Sequence, residues 1–342
     1  MNAFTTRDYT VYHETITPEL LDLVIDMESD RLQNLKLDEE TLNTERQVVL
    51  EERRMRTDNV PGGKIQEALW ALAFRQHPYR WPVIGVVEDL YRMTLEQILD
   101  YFKAHYQPGN ATLVVVGDFK AGLVLEKITR AYGTIPGRPR PAREIVVEPV
   151  QNEEHRLILR DHVASERFAQ AYPITSATDE DSYALDILAN VLFEGTSSRA
   201  YRRLVEEKDI MISISGTAFT PTYPGLFIVS GTMKGTLPGG AAETILDELI
   251  REIQEKGVTP EEVQVAVKQL TVQMVDNVRT YHGLAQLIGT VMMIFEDPAR
   301  FAEDLTKYSR VTAADVRRVA QNYLIPNHRS VVTLLPGEEG TK

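Results

Sequence analysis

The chain begins with apolar residues set among threonines, and its hydrophobic pattern then changes to helical spacing. Ala3, Phe4 and Val11 lie among threonines, a pattern typical of a β-strand. Apolar residues then recur every three or four positions after Thr17 and Pro18, a pair that commonly starts a helix. Up to residue 117 the pattern predicts an N-terminal strand, helices that begin at Thr17, at Asp38, after a break at Pro61-Gly62-Gly63 and at Thr94, and a buried strand at residues 111–117.

The second half of the chain shows a similar mixture of strands and helices. Thr259, Pro260 and Glu262 place a capping threonine, a first-turn proline and a capping-box glutamate in register, so a helix begins there. The remaining apolar pattern predicts strands at residues 156–159, 167–172, 210–216 and 226–233, a helix around residues 184–191 and a long helix that ends at Gly257.

A proline-rich segment separates two regions of globular composition. Residues 136–149 hold four prolines and three arginines with little apolar periodicity, which is typical of a linker on the surface. We therefore predict domains at residues 1–140 and 150–342. A capped helix, a proline and an apolar strand follow Thr94 and again follow Thr312, which favours duplication of one αβ domain. The alternative is a local pattern that any two helix–strand units share. The expected fold class is α+β, each domain being a mainly antiparallel sheet with helices packed on one face.

Composition excludes several classes of function. The net charge of -13 argues against a nucleic-acid groove and is weakly in favour of a basic or extended cationic substrate. The chain has no cysteine, so thiolate catalysis, disulfides and cysteine zinc sites are excluded. Its apolar runs are too short to span a bilayer. We expect a soluble protein, cytoplasmic or periplasmic, and the pattern does not decide the compartment.

Candidate chemistry is sparse in this sequence. We find no GxSxG, Walker, GxGxxG, HExxH or HxxEH motif, and none of the seven histidines lies four positions from another. Glu45 and Glu52 are two helical turns apart, so both project from one face of the predicted helix at residues 38–56. Carboxylates held in this way can bind Zn²⁺ or orient its ligands. The alternative is a solvated charged face, the usual meaning of mixed Glu and Arg on a helix.

Five segments in order resemble the pitrilysin/insulinase-type zinc metallopeptidases. They are residues 2–12 (NAxTxxDxTxY strand), 45–52 (ExxVVxxE helix), 77–85 (HPYxxPVIG turn), 106–117 (YxPxNxxLVVVG unit) and 195–199 (a glycine-led SSR motif). The resemblance covers nearly the whole chain and implies a fold like that of mitochondrial processing peptidase. It also implies a zinc endopeptidase acting on extended or unfolded peptides.

The resemblance assigns roles to five residues of this chain. Glu52 corresponds to the third zinc ligand and Glu45 to the supporting carboxylate. Asn2, Ala3 and Phe4 correspond to the edge strand that pairs with substrate. The family's HxxEH helix, which supplies two histidine ligands and the general base, has no counterpart in these 342 residues. We therefore expect that this chain alone neither holds zinc firmly nor hydrolyses peptides.

One departure from the family bears on partners. Residues 204–212 match an LREKxGLAY-like stretch whose Arg and Tyr grip the substrate, but Val205 and Ile212 stand at those positions. In members made of two half-length chains, the partner of the zinc-bearing subunit can supply that pair. The resemblance thus implies the zinc-side subunit of a homo- or heterodimer. The alternative is a non-catalytic chamber, scaffold or peptide-binding subunit of the same family.

Overall fold

The computed structural model describes residues 1–139, 141–142 and 144–337. Its strands are β1 (Asn2–Thr5), β2 (Thr10–His13), β3 (His155–Asp161), β4 (Arg167–Pro173), β5 (Met211–Phe219), β6 (Leu226–Met233) and β7 (Ser330–Pro336). Its α-helices are α1 (Leu21–Asn34), α2 (Glu39–Arg53), α3 (Pro61–Ala73), α4 (Val87–Arg92), α5 (Leu95–His105), α6 (Ala121–Tyr132), α7 (Asp181–Phe193), α8 (Arg199–Tyr201), α9 (Gly240–Lys256), α10 (Pro260–Asn277), α11 (Tyr281–Phe295), α12 (Arg300–Arg310) and α13 (Ala313–Tyr323). The α+β class predicted from the sequence is confirmed.

The chain divides into two compact units, each built from segments distant in sequence. Unit 1 comprises Met1–Arg53, Val83–Ile145 and Val275–Pro298. Unit 2 comprises Arg54–Pro82, Val146–Met274 and the chain from Ala299 on. The domains at residues 1–140 and 150–342 stay a prediction, as does the linker at 136–149, of which Arg140 and Arg143 lie outside the described residues.

Unit 2 contains a five-stranded sheet in the order β3-β7-β4-β6-β5. The β3–β7 pair is parallel, and the other neighbours are antiparallel. Successive side chains of β4 point to opposite faces. Phe168 and Tyr172 join a buried cluster with residues of α7, α9 and α13, whereas Ala169 and Ala171 pack with residues of α3. Most of the helical packing therefore lies on one face of the sheet, and α3 covers part of the other.

Unit 1 has a smaller sheet and a sparse interior. β1 and β2 form a two-stranded antiparallel sheet, α1 packs against α6, and α2 packs against α4. The hydrophobic residues that are buried in the described part of this unit are Ile25, Leu42, Leu50, Val124 and Val291. They form no continuous cluster like those of unit 2.

Two of the helix starts that the sequence predicts at threonines are capped as expected, whereas Thr17 makes no side-chain capping bond and precedes a 3-10 turn, after which α1 begins at Leu21. Thr94 Oγ1 accepts the backbone N–H of Gln97 at 3.3 Å, and the Gln97 side chain accepts the Thr94 N–H at 2.9 Å. Thr259 and Glu262 form the same reciprocal capping box at 3.2 and 2.8 Å. These are local interactions, so the sequence spacing is sufficient to predict them.

The prediction of a break at Pro61-Gly62-Gly63 is wrong, because these residues form the first turn of α3. Proline suits a first turn, since the N–H that it lacks would have no partner within the helix. A Cβ at Gly63 would clash with the carbonyl oxygen of Arg56. Gly63 therefore permits a close approach of two backbone segments rather than interrupting the helix.

The prediction of a buried strand at residues 111–117 is also wrong. The segment is in no strand, and Leu113 is 53% exposed. With the other described residues, 112–117 form no backbone hydrogen bonds, and a strand exists only where it has a partner. The β-propensity of Leu-Val-Val-Val therefore does not suffice here.

Candidate functional site

The turn between β1 and β2 determines which backbone groups of β1 point outward. Thr6 donates its N–H to the carbonyl oxygen of Tyr9 at 2.8 Å and so closes a two-residue turn. Bonded and non-bonded residue pairs alternate along an antiparallel ladder. Counting from this turn, the Phe4–Val11 pair and every second pair beyond it exchange hydrogen bonds. In the intervening pairs, Ala3–Tyr12 and Thr5–Thr10, the backbone N–H and C=O groups of each residue point away from the partner strand.

The N–H and C=O groups of Ala3 and Thr5 are thus on the outer edge of β1. Among the described residues β1 pairs with β2 alone, so this edge is open to a further strand. The N–H of Ala3 donates to Asn2 Oδ1 at 2.8 Å in an exposed contact. Water or an incoming peptide can replace such a bond at small net cost.

The other residues of the hairpin hold it in place within unit 1. The Tyr9 hydroxyl lies 3.1 Å from Thr290 Oγ1 on α11, and the Tyr12 hydroxyl lies 2.7 Å from that of Tyr106. Phe4, which we assign to substrate binding by resemblance, is half-buried and its ring centre lies 6.4 Å from that of His13. The side chain of Phe4 is therefore partly covered and lies on the same face of the hairpin as His13.

Helix α2 carries both candidate carboxylates. Glu45 is exposed and Glu52 is half-buried, and Leu50 of the same helix is buried. Val48, which the sequence suggests as apolar packing beside them, is 54% exposed. The helix thus has one packed face, and Glu45 lies outside it.

Two arginines of α2 fix the orientation of this helix. Arg46 donates through Nε to the carbonyl oxygen of Leu90 at 2.8 Å and through Nη2 to that of Met93 at 2.7 Å. These carbonyls end α4, where a cation is favourable. Arg53 is buried and donates through Nη1 to the carbonyl oxygen of Gly85 at 2.8 Å. Arg46 and Arg53 are therefore structural.

The described residues do not fit a zinc site of the family type. Within them, no three His, Cys, Asp or Glu side chains are close enough to hold one metal ion together. Catalytic and structural zinc sites use three or four protein ligands, and one carboxylate such as Glu52 falls short of that. We therefore assign no chemical step to zinc in this chain.

The HPYxxPVIG segment supplies packing rather than ligands. His77 is buried, and its Nδ1 accepts the N–H of Tyr79 at 3.1 Å. The Tyr79 ring meets those of Trp70 and Phe74 edge-on. The Nδ1 atom of His77 therefore stabilises the turn and has a structural role.

The motifs in the second half of the sequence also form contacts within unit 2. Arg199 of the SSR motif makes two hydrogen bonds of 2.7 Å to the carboxylate of Glu262. Val205 packs against the main buried cluster, whereas Ile212 is exposed. Asp209, at the position of the family glycine in this stretch, has a φ of 52° and so adopts the left-handed conformation that glycine favours.

Sequence reasoning missed several tertiary contacts. The carboxylate of Glu148 accepts the backbone N–H groups of Arg75, Gln76 and His77 at 2.7, 2.9 and 2.7 Å. Loss of hydration raises the pKa of Asp186 to about 6, although the Tyr308 hydroxyl that donates to it acts in the opposite direction. No spacing along the chain signals either contact, because the partners come from distant segments.

Comparison with known proteins places these features in a family. Residues 1–86 match the family described as Insulinase (Peptidase family M16), and residues 92–270 match the one described as Peptidase M16 inactive domain. The chain belongs to peptidase family M16. This confirms the pitrilysin/insulinase resemblance.

Several M16 relatives are similar over nearly the whole chain. It is 28% identical over 351 residues to zinc protease PqqE of Helicobacter pylori, covering 98% of this chain and 76% of that protein. It is 26% identical over 350 residues to the probable beta subunit of the mitochondrial-processing peptidase of Arabidopsis thaliana, covering 98% of this chain and 65% of that protein.

Solved M16 structures have the same fold. A protease from Helicobacter pylori superposes with a TM-score of 0.88 at 25% identity, covering 94% of this chain and 78% of that chain. A peptidase M16 inactive domain from Pseudomonas fluorescens gives a TM-score of 0.82 at 14% identity, covering 93% and 75% of the two chains. Within the residues described for this M16 chain, no helix has the length and apolar character needed to cross a membrane.

Proposed function

We propose that this M16 chain is the peptide-holding part of a zinc endopeptidase that cleaves extended or unfolded polypeptides. The open outer edge of β1 is the observation that carries this proposal. Backbone groups of Ala3 and Thr5 offer donors and acceptors in the arrangement that a further antiparallel strand requires. Recognition through backbone groups tolerates many sequences, as cleavage of unfolded chains demands.

The zinc chemistry belongs to a more complete site than these residues form. In that site Glu52 is a ligand and Glu45 supports it, while an HxxEH helix, of which this sequence has no copy, supplies the other ligands and the base. Membership in M16 and relatives named zinc protease support this assignment. This chain alone is then expected to bind peptide without cleaving it.

A pair of proline substitutions tests the edge strand. Ala3→Pro removes an N–H that points outward, so the hairpin keeps its internal bonds while the edge loses a donor. Thr10→Pro makes the matched change on the outer edge of β2, since Thr10 faces Thr5 in a non-bonded pair. Fluorescence anisotropy with a labelled unstructured peptide should show affinity at least about tenfold weaker for Ala3→Pro and unchanged for Thr10→Pro. Equal affinities for both variants would contradict pairing at β1.

A fused upstream HxxEH helix separates the enzyme from its alternative, a non-catalytic chamber, scaffold or peptide-binding subunit. In the enzyme, the fused chain should bind one zinc ion more than the unfused chain, and Glu52→Gln should lose that additional ion. Peptide hydrolysis should then be sensitive to chelators. Equal stoichiometric zinc in both proteins would remove Glu52 as a ligand, and the scaffold function would remain.

The dimer belongs to this proposal as well. Val205 and Ile212 leave this chain without the gripping Arg and Tyr, so a different half-length M16 chain would have to supply them. Sedimentation of the chain alone and with a candidate partner tests this directly. A homodimer would carry Val and Ile at both positions, so gripping by such a pair requires a heterodimer.

A further inference from the structure

Two imidazoles from opposite ends of the chain meet in unit 1. His13 is the last residue of β2, and His282 lies in the first turn of α11. Their ring centres are 4.5 Å apart, and the ring planes are inclined by 51°. Both residues are half-buried.

Independent contacts hold the two elements that carry these rings. The hydroxyl groups of Tyr9 and Thr290 lie 3.1 Å apart and join the hairpin to α11. Thr280 caps α11 by accepting the N–H of Gly283 at 3.0 Å, which fixes the turn that contains His282. The imidazole pair is therefore positioned by the fold rather than by its own contact.

The ring nitrogens of both residues are available to a ligand. Neither imidazole forms a hydrogen bond with the rest of the described chain. None of their nitrogen atoms is among the fully buried polar atoms without a partner, so solvent reaches them. A neutral imidazole nitrogen in this state is the commonest protein ligand for late transition metals.

We propose that His13 and His282 together bind one late first-row divalent cation, namely Zn²⁺, Ni²⁺ or Cu²⁺, with water in the other positions. A ring that binds Zn²⁺ at about 2.0–2.1 Å has its centre about 3 Å from the ion. With the ring centres 4.5 Å apart, the angle between the two imidazole ligands at the ion is roughly 90–100°. This value lies between the ligand angles of octahedral and tetrahedral coordination. The site uses neither Glu45 nor Glu52 and is separate from the function proposed above.

Calorimetric titration of the full chain with Ni²⁺ and with Zn²⁺ at pH 7.5 tests the site. We expect one equivalent to bind, and His13→Gln and His282→Gln each to weaken it at least about tenfold. The double variant should bind the ion about as weakly as each single variant does, without a further tenfold loss of affinity, because one ion needs both rings. His105→Gln, on α5 of the same unit with its ring stacked on Tyr101, is the matched control and should bind as the parent does.

A second measurement needs no substitution. Substoichiometric Cu²⁺ should broaden the imidazole proton resonances of His13 and His282 before those of His105 and His328. Binding that survives in both single variants, or broadening spread evenly over the histidines, would overturn the proposal. Loss of the titration heat in Glu52→Gln with the histidine variants unaffected would overturn it equally, since the ion would then belong to α2.

Discussion

At the scale of single residues, Asp186 links pH to stability. It lies on α7, and its pKa of about 6 exceeds its ordinary value of 3.8 because the carboxylate loses hydration. Because the folded state favours the protonated carboxyl, the stability that Asp186 contributes is fully present below its ordinary pKa of 3.8. It is lost as the pH rises through its folded-state pKa of about 6. Asp186→Asn keeps an acceptor for Tyr308 but cannot ionise. We expect it to be roughly 2–3 kcal/mol more stable than the parent at pH 8, and nearly equal at pH 4.

Urea unfolding at the two pH values measures this difference. Asp118→Asn, a change at an exposed aspartate, serves as the control because it should leave the pH dependence of the parent intact. A constant difference between Asp186→Asn and the parent at both pH values would show that Asp186 does not titrate in this range.

Gln170 is a second residue whose burial carries a cost. It is 0% exposed in the middle of β4, and neither atom of its amide has a hydrogen-bond partner among the described residues. Gln170→Met removes the unpaired polar group with little change in volume, so we expect a gain of about 1–2 kcal/mol in the free energy of unfolding. Thermal and urea unfolding measure it. Gln170→Glu should destabilise strongly, and a less stable Met variant would indicate a bound internal water instead.

Residue-level roles were predictable only where they depend on local spacing. The capping threonines Thr94 and Thr259 are examples, because each bonds a residue three positions away. Asp186 and the His13–His282 pair are the opposite case, since their environment comes from distant segments. Glu45 and Glu52 lie on the predicted helix, but their proposed roles depend on the family resemblance.

At the scale of elements, one carboxylate joins two segments of unit 2. Glu148 bonds three consecutive N–H groups that follow α3. Glu148→Ala would leave these groups without that acceptor, so we expect a loss of roughly 2–3 kcal/mol and faster proteolysis near residues 136–149. Glu144→Ala, at an exposed site of the same segment, should change neither. If both variants had the same free energy of unfolding and the same rate of proteolysis, the Glu148 contact would not stabilise this segment.

Element boundaries were harder to predict than element types. The pattern locates β6 at its observed bounds, Leu226–Met233, and identifies the helix that begins after Thr259. It fails at Pro61-Gly62-Gly63, where the sequence suggests a helix break. Gly63 is instead required by the close approach of another backbone segment. It fails at residues 111–117 because an apolar run shows β-propensity but not whether a partner strand is present.

At the scale of the whole molecule, sequence patterns predicted the α+β class but not the membership of the two units. Helix α3 follows α2 along the chain, yet its buried face meets β4 and β7 of unit 2. Periodicity shows which face of a helix is apolar and cannot show which sheet it will meet. The segment Val275–Pro298 likewise belongs to unit 1 despite its late position.

The uneven distribution of buried apolar residues predicts uneven stability. Both continuous hydrophobic clusters lie in unit 2, whereas unit 1 exposes Leu23, Leu123, Leu125 and Tyr101 by more than half. Local opening costs least where few apolar contacts are lost. Amide hydrogens of α1, α5 and α6 should therefore exchange at lower protection than those of β4, β6 and α7.

Hydrogen exchange followed by mass spectrometry distinguishes this from uniform stability, and one substitution in each unit makes the comparison internal. Leu50→Ala removes one of the few buried side chains of unit 1, so exchange should accelerate in α1, α2 and α6 while β4 and β6 stay protected. Ile250→Ala opens a cavity of similar size in unit 2, whose loss of roughly 2–5 kcal/mol should lower protection in β4, β6 and α9. If either variant accelerated exchange equally in both units, the molecule would unfold as one cooperative body. The sparse interior of unit 1 would then carry no separate transition.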